Sequence, residues 1–85
     1  MKIVIIGAGS AAIAAADIIV QDRNLSIVGF IGTKEEESKL SGQKIYENIN
    51  FLGNGSLLSK LKDEGVTGFI AAIGDNYIRE KRFYE

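Results

Sequence analysis

The residues best suited to chemistry sit near the start of the chain, where Gly7-Ala8-Gly9-Ser10-Ala11-Ala12 has the spacing G-x-G-x-x-A. Glycines at the first and third positions let the backbone turn sharply, and they let a ligand approach main-chain N–H groups without meeting a Cβ. A helix starting just behind them adds the positive end of its dipole, and the combination favours a phosphate or diphosphate. The chemistry of such a turn is binding. Its dinucleotide form also needs an acid at the end of the second strand to hold ribose hydroxyls. Here that end reads Phe30-Ile31-Gly32-Thr33-Lys34, with no acid before Glu35, so the NAD form is incomplete. Thr33 and Lys34 instead offer a hydroxyl and a cation to the 2′-phosphate of an NADP. The bland alternative is a tight strand–helix turn of any α/β domain.

A second glycine-led turn, Gly74-Asp75-Asn76, lies near the end of the chain and is followed by Arg79, Lys81 and Arg82. These cations form either a solvated helix face, balanced by Glu80 and Glu85, or a group of which one reaches a phosphate held between the two turns. The glutamates at 35–37 read as a solvated loop, because three consecutive carboxylates do not converge unaided on one metal ion. The chain has no histidine and no cysteine. It therefore lacks the commonest neutral-pH acid/base group, and a disulfide framework and a thiolate metal site are excluded. No residue is assigned a catalytic or metal-binding role.

The elements that must position these residues follow from the apolar pattern. Lys2 to Ile6 reads as a strand covered on both faces, at the centre of a parallel sheet. Ser10 to about Gln21 reads as a helix, capped by Ser10, whose alanines allow close approach to the sheet. Leu25 to Ile31 reads as a second strand, completing a right-handed βαβ unit. Residues 32–39 read as a loop, and Lys44-Ile45-Tyr46 and Ile49-Asn50-Phe51-Leu52 as short extended pieces at the sheet edge. Gly53 to Ser56 is a turn, Leu57 to Glu64 a helix stopped by Gly65, and Thr67 to Ile73 another buried strand. Tyr77 to Glu85 reads as the beginning of a helix. The expected fold is α/β, a Rossmann-like parallel sheet flanked by helices in three layers, with the first strand central.

Size and composition bound the answer. The 85 residues suffice for one domain, and a hydrophobic share of 46% beside a charged share of 25% is that of a globular protein. A net charge of −1 argues against non-specific nucleic-acid binding. The longest apolar run, Ser10 to Val20, is interrupted by Asp17 and is too short to span a membrane. The apolar start fits a strand–turn–helix better than a signal peptide, and a cytoplasmic location is expected. The thin core and the last helix together suggest a piece of something longer.

Three stretches carry a resemblance to a known family. Ile3-Val-Ile-Ile-Gly-Ala-Gly, Ile27-Val-Gly-Phe-Ile31, and above all Phe69-Ile-Ala-Ala-Ile-Gly-Asp-Asn-Tyr-Ile-Arg-Glu-Lys81 resemble the N-terminal domain of NeuD/PglD-type nucleotide-sugar acetyltransferases. That family includes sialic-acid O-acetyltransferases and UDP-4-amino-sugar N-acetyltransferases. The resemblance spans essentially the whole chain. It implies a Rossmann-like domain, residues 1–85, that binds the UDP- or CMP-type nucleotide part of an activated sugar. The left-handed β-helix domain that trimerises, binds acetyl-CoA and carries the catalytic histidine is absent from this chain. By the same resemblance Gly7, Ala8, Gly9 and Ser10 contact the substrate through backbone groups, with Gly74, Asp75 and Asn76 as the opposite wall. Two positions depart from the family pattern: Ala11 stands where a histidine is frequent, and Gly32-Thr33 where paired aspartates are common. Two other classes stay open, an NAD(P)-binding domain of an oxidoreductase or regulatory protein and a docking module without ligand.

Overall fold

Strand β1 (Lys2–Ile6) is buried on both faces, and the other elements are arranged around it. The computed structural model describes residues 1–73 and 77–82. After β1 come α1 (Ser10–Ile19), β2 (Ser26–Gly32), α2 (Lys34–Leu40), β3 (Lys44–Tyr46) and β4 (Ile49–Asn54). A 3-10 turn at Gly55–Leu57 leads into α3 (Leu58–Asp63), then β5 (Val66–Ile73) and β6 (Tyr77–Arg82). The strands form one six-stranded sheet in the order β3-β4-β2-β1-β5-β6. Strands β4, β2, β1 and β5 run parallel, while β3 and β6 pair antiparallel at the two edges.

The sheet has two unequal faces. On one, Ile3 and Ile5 of β1, Phe30, Phe51 and Ile70 pack against Ala12, Ala15, Ala16 and Ile19 of α1, and Leu40 of α2 borders the same cluster. On the other, Val4, Ile31 and Val66 pack against Leu61 of α3. This is the expected Rossmann-like, three-layer α/β arrangement, with β1 central. The chain steps outward from β1 through β2 to β4, then returns to β5 on the opposite side of β1. That reversal puts the topological switch point, where open α/β sheets bind ligands, at the carboxyl ends of β1 and β5.

Two expectations are corrected. Residues 34–40 are a helix rather than a loop. Thr33 accepts a hydrogen bond from Glu36 N at 3.1 Å and donates its own N–H to Glu36 Oε1 at 3.0 Å, a reciprocal capping box. Glu35, Glu36 and Glu37 occupy the first turn and Lys39 the last, each favourable to the helix dipole. Residues 77–82 are a strand rather than a helix. They pair with β5 from Gly68↔Arg82 to Ile73↔Tyr77, closing an edge that would otherwise leave a row of unpaired backbone groups. Tyr77 and Ile78 are good strand formers, and the Arg-Glu-Lys-Arg run suits an exposed edge. The remainder of the expected helix lies outside the described residues.

One side-chain contact ties the β3 edge to α1. The Tyr46 hydroxyl donates to Asp17 Oδ1 at 2.7 Å. This bond, with smaller contributions from burial and the charges of Asp17 and Glu47, pushes the phenol pKa up from 10.0 to about 12. The folded chain holds the phenolic proton more tightly than the unfolded chain. The stability this contact contributes is therefore fully present below pH 10 and is lost as the pH rises through about 12. Ultraviolet titration of the tyrosinates should show one group ionising late. Asp17→Asn should return it toward the ordinary value, whereas an unchanged profile would mean the contact does not form.

Candidate functional site

The turn after β1 is built by the backbone. Ile6 lies opposite Ile31 of β2, and Gly7 N donates to Ile31 O at 2.7 Å, so the ends of the two strands are locked together. Gly7 has φ +128°, which side-chain-bearing residues rarely adopt. The helix N-cap is Gly9, not Ser10 as the sequence suggested; Ser10 is the first helical residue. A glycine supplies no capping oxygen, and the first helical hydrogen bond is Ile13 N to Gly9 O at 3.1 Å. The N–H groups of Ser10, Ala11 and Ala12 precede that bond, and those of Ala8 and Gly9 have no acceptor among the described residues. Gly9 is exposed, and a Cβ there would meet nothing within 4 Å. The result is an open row of donors at the positive end of a ten-residue helix, suited to an anionic oxygen.

Of the expected contact residues, Gly7 uses its N–H within the sheet, whereas the amides of Ala8 and Gly9 have no acceptor among the described residues. Ala11 and Ala8 are half-buried and pack against the α1-side core, while Ser10 is exposed. Behind them Ala12, Ala15 and Ala16 are fully buried against the sheet. Their small size sets how closely α1, and with it the donor row, approaches the strand ends.

Gly32 and Thr33 adjoin this turn at the end of β2. Thr33 is the α2 N-cap, its hydroxyl oxygen engaged by Glu36 N, and Lys34 follows as an exposed first helical residue. A Cβ on Gly32 would lie 2.5 Å from Glu36 Oε1 and 3.1 Å from Phe51 Cε2. Only a glycine admits the Glu36 carboxylate at this position. Glu37 does something different. Its Oε2 accepts from Asn54 N and its Oε1 from Asn54 Nδ2, both at 3.1 Å, fastening α2 to the end of β4. Glu36 and Glu37 thus take separate partners. Neither role was expected, although Thr33-x-x-Glu36 is a legible capping-box signature.

Gly74, Asp75 and Asn76 lie outside the described residues. The strands that flank them, β5 and β6, do pair, and β5 adjoins β1. Arg79 stands on β6 rather than in a helix. It is opposite Ala71, which is itself opposite Ile6, so its backbone is level with the last residue of β1. Lys81 is opposite Phe69 and hence level with Val4, farther from the carboxyl edge. Among the cations Arg79, Lys81 and Arg82, the register brings Arg79 nearest the turn.

A family model described as the PglD N-terminal domain matches residues 2–85. The chain belongs to that family. No curated protein and no solved structure gives a significant match. The match covers nearly the whole chain. Membership makes this an N-terminal domain of the acetyltransferase family. Among the described residues no helix is long and apolar enough to cross a membrane.

The Gly32–Glu36 contact is testable in isolation. Gly32→Ala should displace the Glu36 carboxylate from Thr33 N–H and lower stability by at most about 1 kcal/mol, the net scale of one hydrogen bond, in urea unfolding. In a Glu36→Ala background the same substitution should have a clearly smaller effect, because both changes remove one interaction. Strictly additive losses would mean the two positions are independent.

Proposed function

We propose that this chain binds the nucleotide part, of the UDP or CMP type, of a nucleotide-activated amino sugar for acetyl transfer. The observation that carries this reading is the uncapped row of amides from Ala8 to Ala12 beside the switch point, in a member of the PglD N-terminal domain family. On this reading the diphosphate lies on those amides, with Gly7, Ala8, Gly9, Ser10 and Ala11 as one lip of the cleft. Gly32 and Thr33 flank the nucleoside, Gly74, Asp75 and Asn76 form the opposite lip, and Arg79 approaches the phosphates. The substrate is held chiefly by main-chain donors, which discriminate charge and shape more than sugar identity.

Acetyl transfer to an amine or hydroxyl needs a base to remove a proton. With no histidine and no cysteine in the chain, that step belongs to a further domain of the parent protein. Acetyl-CoA as acetyl donor, a homotrimer built through that domain, and a cytoplasmic setting in polysaccharide biosynthesis complete the proposal. The 85-residue chain incubated with acetyl-CoA and a UDP-linked amino sugar should release no free CoA thiol above background. Turnover by this chain alone would refute the division of labour.

Calorimetric titration with a UDP-linked amino sugar, CMP, NADH and NADPH tests the binding reading. The UDP- or CMP-type ligand should bind and the dinucleotides should not. Gly9→Asp should abolish that binding, because an aspartate N-cap puts its own carboxylate on the amides the diphosphate would use. The same change should leave the fold intact and raise stability by only a few tenths of a kcal/mol, as measured by thermal melting. Preference for NADH or NADPH would favour the oxidoreductase class suggested by the G-x-G-x-x-A spacing. Failure to bind any of them would favour a docking module.

A further inference from the structure

The acid missing from the end of β2 is present in space. Gly32 is the last residue of β2, and the position its Cβ would take lies 2.5 Å from Glu36 Oε1 and 3.1 Å from Glu36 Cδ. The carboxylate of α2 therefore occupies the place of a strand-end side chain. It also occupies the correct face. The same Cβ position lies 3.1 Å from Phe51 Cε2, and Phe51 belongs to the core cluster beneath α1. The Glu36 carboxylate thus stands on the α1 side of the sheet, on the strand whose end is hydrogen-bonded to Gly7.

The three neighbouring glutamates are not equivalent. Glu37 has both oxygens on Asn54, and Glu35 is exposed, with no side-chain partner among the described residues to hold it in place. Glu36 is half-buried and fixed by Oε1 on Thr33 N, while its Oε2 has no partner among the described residues. It combines a fixed position with a free acceptor oxygen. A vicinal diol asks for that combination, because its two hydroxyls donate to a carboxylate that need not be reoriented on binding.

We infer that Glu36 is the residue that accepts the ribose hydroxyls of the bound nucleotide, reaching from the first turn of α2 over Gly32 into the place of a strand-end acid. This rests on the reading that the β1–α1 turn takes a ribonucleotide. It makes Glu36 a specificity residue, selecting ribonucleotides over deoxyribonucleotides, and it gives Gly32 a second role, keeping that place clear of a Cβ.

The test compares UDP with 2′,3′-dideoxy-UDP on the wild-type chain and on Glu36→Gln. Glutamine is an accepted capping-box residue, so this variant should keep α2 and melt close to wild type. Wild type should bind UDP about tenfold or more tightly than the dideoxy compound, the scale of hydrogen bonds to a charged group. Glu36→Gln should lose most of that preference while binding dideoxy-UDP as wild type does. Equal wild-type affinity for the two compounds, or a preference retained by Glu36→Gln, would overturn the inference and leave nucleotide binding standing. Binding of neither compound by wild type would overturn both. If the variant melts early, the wild-type comparison still decides whether the ribose is read, and Glu36→Asp supplies the second variant. Its shorter carboxylate should keep charge and fold yet lose the preference, and a retained preference there would also count against Glu36.

Discussion

Strand β1 is buried on both faces, and on one of them the small alanines of α1 form the covering surface. Ile3 and Ile5 point to the α1 side and Val4 to the α3 side, all essentially without solvent exposure. Burial of three such side chains contributes on the order of 5–9 kcal/mol, a large share of the stability of a small domain. The Ile3 and Ile5 share of that gain depends on Ala12, Ala15 and Ala16, whose small side chains pack against the same face of the sheet. Larger residues there would push the helix outward, and the N–H groups at its start would move with it. Core packing and the geometry of the donor row are one constraint seen from two ends.

The carboxyl edge of the sheet is held by polar contacts rather than by more apolar burial. Gly7 N on Ile31 O joins β1 to β2, the Thr33–Glu36 box begins α2, and Glu37 on Asn54 joins α2 to β4. These bonds run in sequence across three adjacent parallel strands. Each satisfies a backbone group that a strand end or helix start would otherwise leave open, which gives the charged residues there a structural role.

The strands of the sheet core were legible because they are continuous apolar runs, Ile3 to Ile6, Ile27 to Ile31 and Phe69 to Ile73, bounded by glycines and charges. The α1 turn was legible for the same reason. What escaped was set by partners distant in the chain. Arg79-Glu80-Lys81-Arg82 has the composition of a helix, and it becomes a strand because β5 offers it an open edge. Residues 34–40 carry no apolar periodicity of helical length, and their capping signature lay inside a charged run that resembles a loop. Ser10 has a better capping side chain than Gly9, yet the cap falls on Gly9, in extended geometry, and Ser10 is already the first helical residue. The carboxylate over Gly32 was hidden more thoroughly. Linear spacing places Glu36 four residues beyond the strand end, and only the first turn of α2 brings it back.

That return changes what the missing strand-end acid means. A side chain rooted on β2 would be fixed by the sheet alone, whereas Glu36 is fixed by a helix cap whose other half is the backbone of Thr33. Its position therefore depends on α2 being folded, and α2 in turn depends on Glu37 holding Asn54. On the proposed reading, ligand contact and local helix stability are coupled through the same side chain. A nucleotide drawing on Oε2 leaves the cap on Oε1 intact, so binding and capping reinforce one another instead of competing. In the proposed site the backbone supplies the anion donors, and a single carboxylate, already ordered by the fold, supplies the complementary acceptor.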